Sequence, residues 1–583
     1  MAAGAPWYRD GPAGRVLLAG SWLFRADPND EGLGAGWAGQ QDTSGWTSVT
    51  VPNAWNAGDY SEASMAGSVG WYRRDFHVPK DPRGALWKVR FESVNYRATV
   101  FLNGTQIGTH EGASIPFEIP LQNLQPGVNH LVVRVDDRRG PADLPPGPRG
   151  GWWNFGGILR EVYLRPVDQL DIQELLTRTV ARDALLVRAT LWNPGGGLKR
   201  GTVTANVAGQ RVSLGSVRVP SGATRSVSKR VTIPGAHAWL PRRPYLYRVE
   251  ASATIRGRPV ATYTVHTGLR TLTTRSDGHL TVDGMPVDLR GAAIHEQTPA
   301  RGAALTPADH GAQIAMLKAL GATITRTHYP LSEDFLERAD RAGIFVWEEI
   351  PVYQLGEAAL RDPAVRQKAL DYLATTIKRD ENHPSVIAWS IGNELPPSPR
   401  QGETTYIREA VALAHRLDPT RPVALAISGY PSKGYIKGYG PLDALGINDY
   451  FGWYPGPFGM ISNRAALGQY LDRMHSMYRR KALFVTEFGA EANRDGPADE
   501  KGTYAFQSEF MRFHLATYAQ RPWINAAINW TLEDFAVRPD WTGFDPQPQP
   551  PWLQKGLIDQ NGKRKPAWAV ASRSYHRTRP VHR

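Results

Sequence analysis

Cysteine is absent from the 583-residue chain, which excludes disulfide bonds, thiol catalysis and metal sites built on cysteine. The chain also has no apolar run long enough to span a membrane, and its N-terminal segment lacks the apolar core of a signal peptide. We therefore expect no membrane partner and, for the chain as given, a cytoplasmic location. A secreted location is the alternative if a leader has been removed.

Acidic residues are outnumbered: 68 Lys and Arg face 55 Asp and Glu, giving a net charge of +13. Such an excess suits an anionic partner, but the basic residues are spread along the chain and lack the spacing of nucleic-acid-binding motifs. We expect no nucleic-acid partner. Aromatic residues make up 10% of the chain and include 19 Trp. Their flat apolar faces can stack on sugars, although Trp-rich β-sandwich cores have a similar composition.

The first two regions of the chain show the period-2 alternation of β-strands. Within residues 1–166, an alternating run at 98–102 is followed by Asn103-Gly104, a strong signal for a two-residue hairpin. Residues 167–272 contain shorter alternating runs separated by turns rich in Gly and Pro. We predict a β-sandwich for the first region and a smaller, immunoglobulin-like sandwich for the second.

From residue 273 to residue 583, apolar strands alternate with amphipathic helices. Parallel strands need helical crossovers, so eight such units predict a (β/α)8 barrel. Asp362-Pro363 is a typical helix start, with a capping residue followed by proline at the first helical position. The predicted strands are 288–295, 322–329, 344–351, 386–393, 423–428, 444–450, 483–487 and 526–531. The predicted helices are 308–320, 333–342, 363–379, 405–417, 465–480, 504–519 and 566–576.

Two predicted strands lead into glutamates. Glu394 follows the fourth strand and Glu487 ends the seventh. Active sites of such barrels lie at the C-terminal ends of the strands, so both carboxylates reach the same rim. Glycoside hydrolysis uses two carboxylates, about 5–5.5 Å apart for retention of configuration and about 6.5–9.5 Å for inversion. The pair therefore makes the chain a glycosidase candidate, and two rim acids in unrelated salt bridges are the alternative.

Several longer motifs resemble family 2 of the glycoside hydrolases, especially its β-glucuronidases and β-galactosidases. The resemblance covers an acid/base signature, a nucleophile signature, two stretches of a sugar-binding domain and the start of the barrel. These are RDENHPSV and WSIGNE within 379–394, VTEFGAE at 485–491, GWYRR at 70–74, GGILR at 156–160 and GLR at 268–270. The resemblance spans essentially the whole chain. It implies a galactose-binding-like jelly roll for the first sandwich and a retaining exo-β-glycosidase as the function.

The resemblance also implies catalytic roles. Glu394 would be the acid/base, and Glu487 would be the nucleophile that forms the glycosyl-enzyme. Asn393 would hydrogen-bond the 2-hydroxyl of the sugar. Arg326, at the end of the second strand, would keep Glu487 charged, with a structural ion pair as the alternative. Glu349, at the end of the third strand, is expected to support the site rather than to catalyse.

The same resemblance places further residues around the sugar. His295 would line the sugar subsite, Tyr450 would lie near Glu487, and Trp530 would be the aromatic platform under the bound sugar. A packed rim histidine and a barrel-core tryptophan are the alternatives for His295 and Trp530. The expected substrate-binding residues are Asn393, Arg326, His295, Asn448, Tyr450, Tyr454, Trp530 and Lys555. No metal and no cofactor are expected.

Two departures from the family pattern bear on the sugar. β-Glucuronidases carry an Asn-x-Lys motif that grips the uronate; here Lys555 is present, but Leu553 stands in place of the Asn. Gly151 stands where glucuronidases place an Asp in the first domain. We therefore expect a β-galactosidase first. The alternatives are a β-glucuronidase or another β-glycosidase, such as one that cleaves β-mannosides, and Lys555 could still serve an acidic sugar by another geometry. A catalytically silent carbohydrate-binding protein is the alternative from another class, and homo-oligomers are expected because relatives often form them.

Overall fold

The computed structural model describes residues 6–78, 86–147, 150–428, 434–456 and 461–582. Sheet topology shows two regions of antiparallel sheets followed by a closed barrel of eight parallel strands. The predicted fold class is confirmed, whereas the boundaries of the three domains stay predictions. Within the described residues, no helix is both long and apolar enough to cross a membrane.

The first sandwich consists of a six-stranded and a four-stranded sheet around a core that includes Trp22, Phe91 and Val133. The predicted hairpin at Asn103-Gly104 is confirmed: both residues have positive φ, 51° and 83°, and Leu102 pairs with Thr105. The strands, in sheet order, are Thr105–Glu111, Arg97–Leu102, Val128–Asp136, Val69–His77, Gly20–Ala26 and Thr47–Val51, then Phe117–Leu121, Leu86–Phe91, Val162–Val167 and Val16–Leu17. A short helix spans Glu62–Ala66.

The second sandwich packs a five-stranded sheet against a three-stranded sheet, and its core is formed by inward-facing aliphatic side chains such as Leu185, Val203 and Val249. Gly11–Pro12 joins this sheet by pairing with Thr264 and Tyr263. A two-residue strand is too short to show a period-2 alternation in the sequence. The pairing of this N-terminal segment with the second sandwich was therefore not predicted. The sheets are Gly11–Pro12, Arg258–Thr267, Tyr247–Ile255, Lys199–Val207 and Gln210–Val219, and Asp171–Ala181, Ala184–Trp192 and Thr224–Thr232.

The barrel contains all eight predicted strands, numbered here β1 to β8 in chain order. They are Leu289–Ala292, Ile324–Arg326, Phe345–Glu349, Val386–Asn393, Val423–Ser428, Ala444–Asn448, Ala482–Phe488 and Ile524–Asn529. The main helices are Pro307–Leu320, Glu333–Ala342, Pro363–Asp380, Gln401–Leu417, Leu467–Met477, Tyr504–Ala519 and Pro566–Arg577. The helix start at Asp362 is confirmed, because its side chain accepts a hydrogen bond from the Ala364 amide. A short helix at Glu357–Arg361 was not predicted.

The first sandwich docks on the rim of the barrel. Arg160 forms an ion pair with Glu296 at 2.7 Å and donates a hydrogen bond to the Pro330 carbonyl at 2.7 Å. The Trp153 amide donates to the carbonyl of Ala536 at 3.0 Å. These contacts hold the neighbouring Trp152 against side chains at the C-terminal ends of the barrel strands.

Candidate active site

Glu394 and Glu487 lie at the C-terminal ends of β4 and β7. Glu394 adopts a left-handed backbone conformation with φ of 49°, which is uncommon for a residue other than glycine. Its amide donates to the Ala426 carbonyl at 2.8 Å, which fixes this turn of the chain. Strain of this kind persists only where the surroundings enforce it, and it is concentrated at functional sites.

A continuous hydrogen-bond network joins the two carboxylates. Arg326 Nη1 lies 2.7 Å from Glu487 Oε1, and Arg326 Nη2 donates to Asn393 Oδ1 at 2.8 Å. Asn448 Nδ2 donates both to Asn393 Oδ1 and to Glu394 Oε1, each at 3.0 Å. Five of the predicted site residues, taken from β2, β4, β6 and β7, are therefore brought into one cluster.

Arg326 is fully buried and serves two carboxylates. Besides Glu487, it contacts Glu349 at 3.1 Å, and Glu349 also bonds His328 Nδ1 at 2.8 Å. Burial alone raises the pKa of Glu349, but the charges and hydrogen bonds of Arg326 and His328 outweigh it, so the net pKa lies below its ordinary value. Glu349 is thus an ionised partner that orients Arg326 from behind.

The surroundings of Glu394 raise its pKa, whereas those of Glu349 lower the pKa of that group. Burial raises the pKa of Glu394 and the nearby Glu487 raises it further, while hydrogen bonds from Asn448 and Gln354 oppose the change; the net shift is upward. A carboxyl group whose pKa is raised by burial and by a neighbouring carboxylate is suited to donate a proton.

Tyr450, Tyr454 and Lys555 form a second layer beside Glu487. The hydroxyl of Tyr450 donates to Glu487 Oε2, and the rings of Tyr450 and Tyr454 meet edge to face at 4.9 Å. Lys555 Nζ donates to the Tyr454 hydroxyl at 2.8 Å and pairs with Glu491 at 3.3 Å. Burial lowers the pKa of Lys555, but Tyr454 and Glu491 outweigh burial and raise it, so Lys555 is a buried ammonium ion.

Aromatic side chains form another side of the site. Trp530 lies 5.5 Å from His295 and 4.6 Å from His328, measured between ring centroids. Burial lowers the pKa of His295 well below its ordinary value, and His328 and Arg326 lower it further, so this imidazole is neutral. Its buried Nε2 has no hydrogen-bond partner among the described residues.

Several residues of the site were not predicted. Trp152 stacks on His328 at 5.5 Å, Tyr353 lies 5.0 Å from His328, and Gln354 Nε2 donates to Glu394 Oε2 at 2.9 Å. Trp152 comes from the first sandwich and is adjacent to Gly151. The departure of Gly151 from the family pattern was the one feature of the sequence that pointed to this part of the site. Tyr353 and Gln354 follow β3 in a loop without periodicity. Within the described part of the chain, no three His, Asp or Glu side chains are grouped to hold a metal ion.

Family comparisons agree with this geometry. The model described as the TIM barrel domain of glycosyl hydrolases family 2 matches residues 274–575, and the one described as its sugar binding domain matches residues 16–167. The chain belongs to glycosyl hydrolase family 2. It is therefore a hydrolase of glycosidic bonds, and the predicted enzyme class is confirmed.

Similar proteins within family 2 include β-glucuronidases. A putative β-glucuronidase of Formosa agariphila is 26% identical over 563 residues, covering 90% of this chain and 66% of that protein. A β-glucuronidase of Paenibacillus borealis is 26% identical over 568 residues, covering 89% and 91%. The crystal structure of a family 2 β-galacturonidase from Eisenbergiella tayi bound to galacturonate superposes over 100% of both chains, with a TM-score of 0.87 and 24% identity, which supports the fold.

Proposed function

We propose that this family 2 enzyme is a retaining, exo-acting β-glycosidase that releases terminal β-linked uronic acids. The observation that carries the mechanism is the network from Glu394 through Asn448, Asn393 and Arg326 to Glu487. It supports a pair in which the pKa of Glu394 is raised while Glu487 contacts a buried guanidinium group.

In the proposed reaction, Glu487 attacks the anomeric carbon while Glu394 donates its proton to the departing glycosidic oxygen. The carbon–oxygen bond to the aglycone breaks and a glycosyl ester with Glu487 forms. Glu394, now a carboxylate, takes a proton from water as the water attacks the same carbon and releases Glu487. In this proposal Asn393 hydrogen-bonds the 2-hydroxyl of the sugar, and Trp530 stacks on the apolar face of the sugar.

Lys555 supports the choice of an acidic sugar. It is the buried cation next to Tyr454 and Tyr450, and Glu491 supplies only one opposing carboxylate at 3.3 Å. The similar proteins named above carry β-glucuronidase and β-galacturonidase names, which favours the acidic-sugar alternative over the β-galactosidase expected first. Leu553 and Gly151 still depart from the glucuronidase pattern. A Cβ at Gly151 would lie 2.7 Å from the Tyr353 hydroxyl, so Tyr353 occupies that space.

A panel of 4-nitrophenyl β-glycosides tests this proposal: glucuronide, galacturonide, galactoside and glucoside. We expect kcat/KM for one uronide to exceed that for its neutral counterpart by on the order of 100-fold, since a buried charge-assisted contact is lost without the carboxylate. Equal or higher rates on the galactoside would reject the uronide choice and restore the β-galactosidase expectation. The glucuronide and galacturonide arms decide the configuration at carbon 4.

Replacing Lys555 by Met is expected to reduce this preference for the uronide to less than about tenfold. The variant loses the contact between the ammonium group and the uronide carboxylate, and a neutral glycoside has no carboxylate to make that contact. Lys565 provides the matched control. It is equally buried and pairs with Asp534 at 2.8 Å, but it contacts backbone carbonyls rather than the tyrosines of the site. Lys565→Met should reduce stability and keep the uronide-to-neutral ratio. An unchanged ratio in Lys555→Met would remove Lys555 from sugar recognition.

The pH dependence should respond to Gln354. The alkaline limb of kcat/KM reports the acid of the free enzyme, here Glu394, whose activity is lost as pH rises through its raised pKa. Gln354 donates to the charged carboxylate, so Gln354→Leu should raise that pKa further and move the alkaline limb up by about half a pH unit. The exposed Gln367→Leu is the control with no expected shift. A move toward lower pH would contradict the assignment of Glu394 as the acid.

A further inference from the structure

A small cavity of about 50 Å³ lies between the first sandwich and the barrel, and Trp152 forms part of its wall. Its wall includes Asn95, Arg139, Trp152, Trp153, Glu296 and Tyr329. A water molecule needs roughly 10–15 Å³ of such space, so the cavity holds a few waters or one small ion but no sugar ring.

Arg139 carries an unpaired guanidinium edge in this cavity. The residue is 7% exposed, and both its Nε and Nη2 are buried without a hydrogen-bond partner among the described residues. Two acids raise the pKa of Arg139 through their charge, but neither forms an ion pair with it. Asp143 pairs with Arg97 and Lys368, whereas Asp137 accepts from the Ser68 amide through Oδ1 and its buried Oδ2 has no partner among the described residues. Burying a charge without a partner is costly, so such a group indicates a missing ligand.

The two free nitrogens define the shape of that ligand. Nε and Nη2 lie on the same edge of a guanidinium group, and this edge accepts a planar oxyanion side-on. The same pair of atoms binds a carboxylate elsewhere in this chain, in Arg165 with Glu118, Arg379 with Asp380 and Arg521 with Asp472. Arg139 lines the cavity, and no protein carboxylate among the described residues occupies the fork formed by its Nε and Nη2.

A third donor lines the same cavity. Trp153 is 1% exposed, and its buried indole Nε1 has no hydrogen-bond partner in the part of the chain that the structure describes. The one buried acceptor on this wall that lacks a partner among the described residues is Asn95 Oδ1, which a water beside the anion would satisfy.

We propose that Arg139 and Trp153 form a binding site for one small carboxylate, of the size of formate or acetate, at the junction of the sandwich and the barrel. The volume of the cavity favours a free anion over a sugar acid. Because Trp152 forms part of both this cavity and the sugar pocket, an occupied site holds that wall of the pocket in place.

Thermal unfolding tests the site without relying on activity. Sodium formate should raise the Tm of the wild-type protein in a saturable way, relative to sodium chloride at equal ionic strength. Arg139→Met should weaken the formate response on the order of tenfold or more. Without formate it should be at least as stable as wild type, because a buried unpaired charge is removed. Arg139→Lys keeps the charge but loses the fork, and it should also lose most of the response.

Arg521→Met is the matched control, since its fork is occupied by Asp472 and it should respond to formate like the wild type. A uronic acid in place of formate separates the two sources of the carboxylate. Stabilisation by the uronic acid that depends on Arg139 and competes with formate would assign the site to the sugar's own carboxylate, whereas a response to formate alone assigns a free anion. If neither ligand stabilises the protein in an Arg139-dependent way, the cavity holds water and the proposal is overturned.

Discussion

Replacing Glu487 by Gln is expected to lower kcat for the cleaved glycoside by on the order of 10⁴-fold or more, with the fold intact. The amide keeps the shape of the side chain and its oxygen can still accept a hydrogen bond from Arg326, but it cannot form the glycosyl ester. The measurement is steady-state hydrolysis of the best substrate from the panel. Thermal unfolding of the same samples shows that the variant is folded.

Glu509→Gln is the matched surface control, because Glu509 is 46% exposed on Tyr504–Ala519 and, among the described residues, pairs with Arg512 alone. A 2-fluoro glycosyl fluoride of the same sugar should leave a covalent adduct on the peptide that contains Glu487, as seen by mass spectrometry. Near-wild-type activity in Glu487→Gln would reject the nucleophile assignment. Loss of activity without any adduct in the wild type would favour an inverting reaction.

Replacing Arg326 by Met should strongly reduce both activity and stability. It leaves Glu349 and Glu487 buried without their cation, and breaking a buried pair in this way typically costs about 3–5 kcal/mol. We expect a large fall in Tm and a loss of kcat on the order of 10³-fold, because the nucleophile and Asn393 both lose the group that orients them.

The sign of the pH dependence distinguishes this mechanism from general misfolding. In the wild type, the lowered pKa of Glu349 contributes stability at neutral pH that is lost as pH falls through that pKa. In the variant, the uncompensated carboxyl groups have raised pKa values, so they destabilise it most at neutral pH. The difference in Tm between wild type and variant should therefore narrow on acidification.

Arg326→Met/Glu349→Gln is the informative double variant. Removing one of the two uncompensated charges should recover part of the Tm, but activity should stay low because Glu487 remains without its partner. A Tm difference that widens on acidification, or a double variant no more stable than the single one, would show that Arg326 does not act through these charges.

Most of the barrel could be predicted because its periodicity is local. The change from alternating strands to apolar strands between amphipathic helices identified all eight strands, and the helix bounds at 333–342 and 504–519 agree with the structure. The loops after the strands follow no such period. Tyr353 and Gln354 were missed for that reason, although both approach Glu394.

The sequence by itself determined the fold class, the family and the rim position of Glu394 and Glu487, since all of these follow from periodicity and from motifs contiguous in the chain. Only the tertiary structure decided which groups meet. Arg326 pairs with Glu349 and also with Glu487, which lies 161 positions further along the chain, and Trp152 reaches the barrel from another sandwich. The unpaired fork of Arg139 likewise exists only once burial has removed water and Arg97 has paired with Asp143. Hydrogen bonds and desolvation depend on distances in space, and no spacing along the chain encodes them.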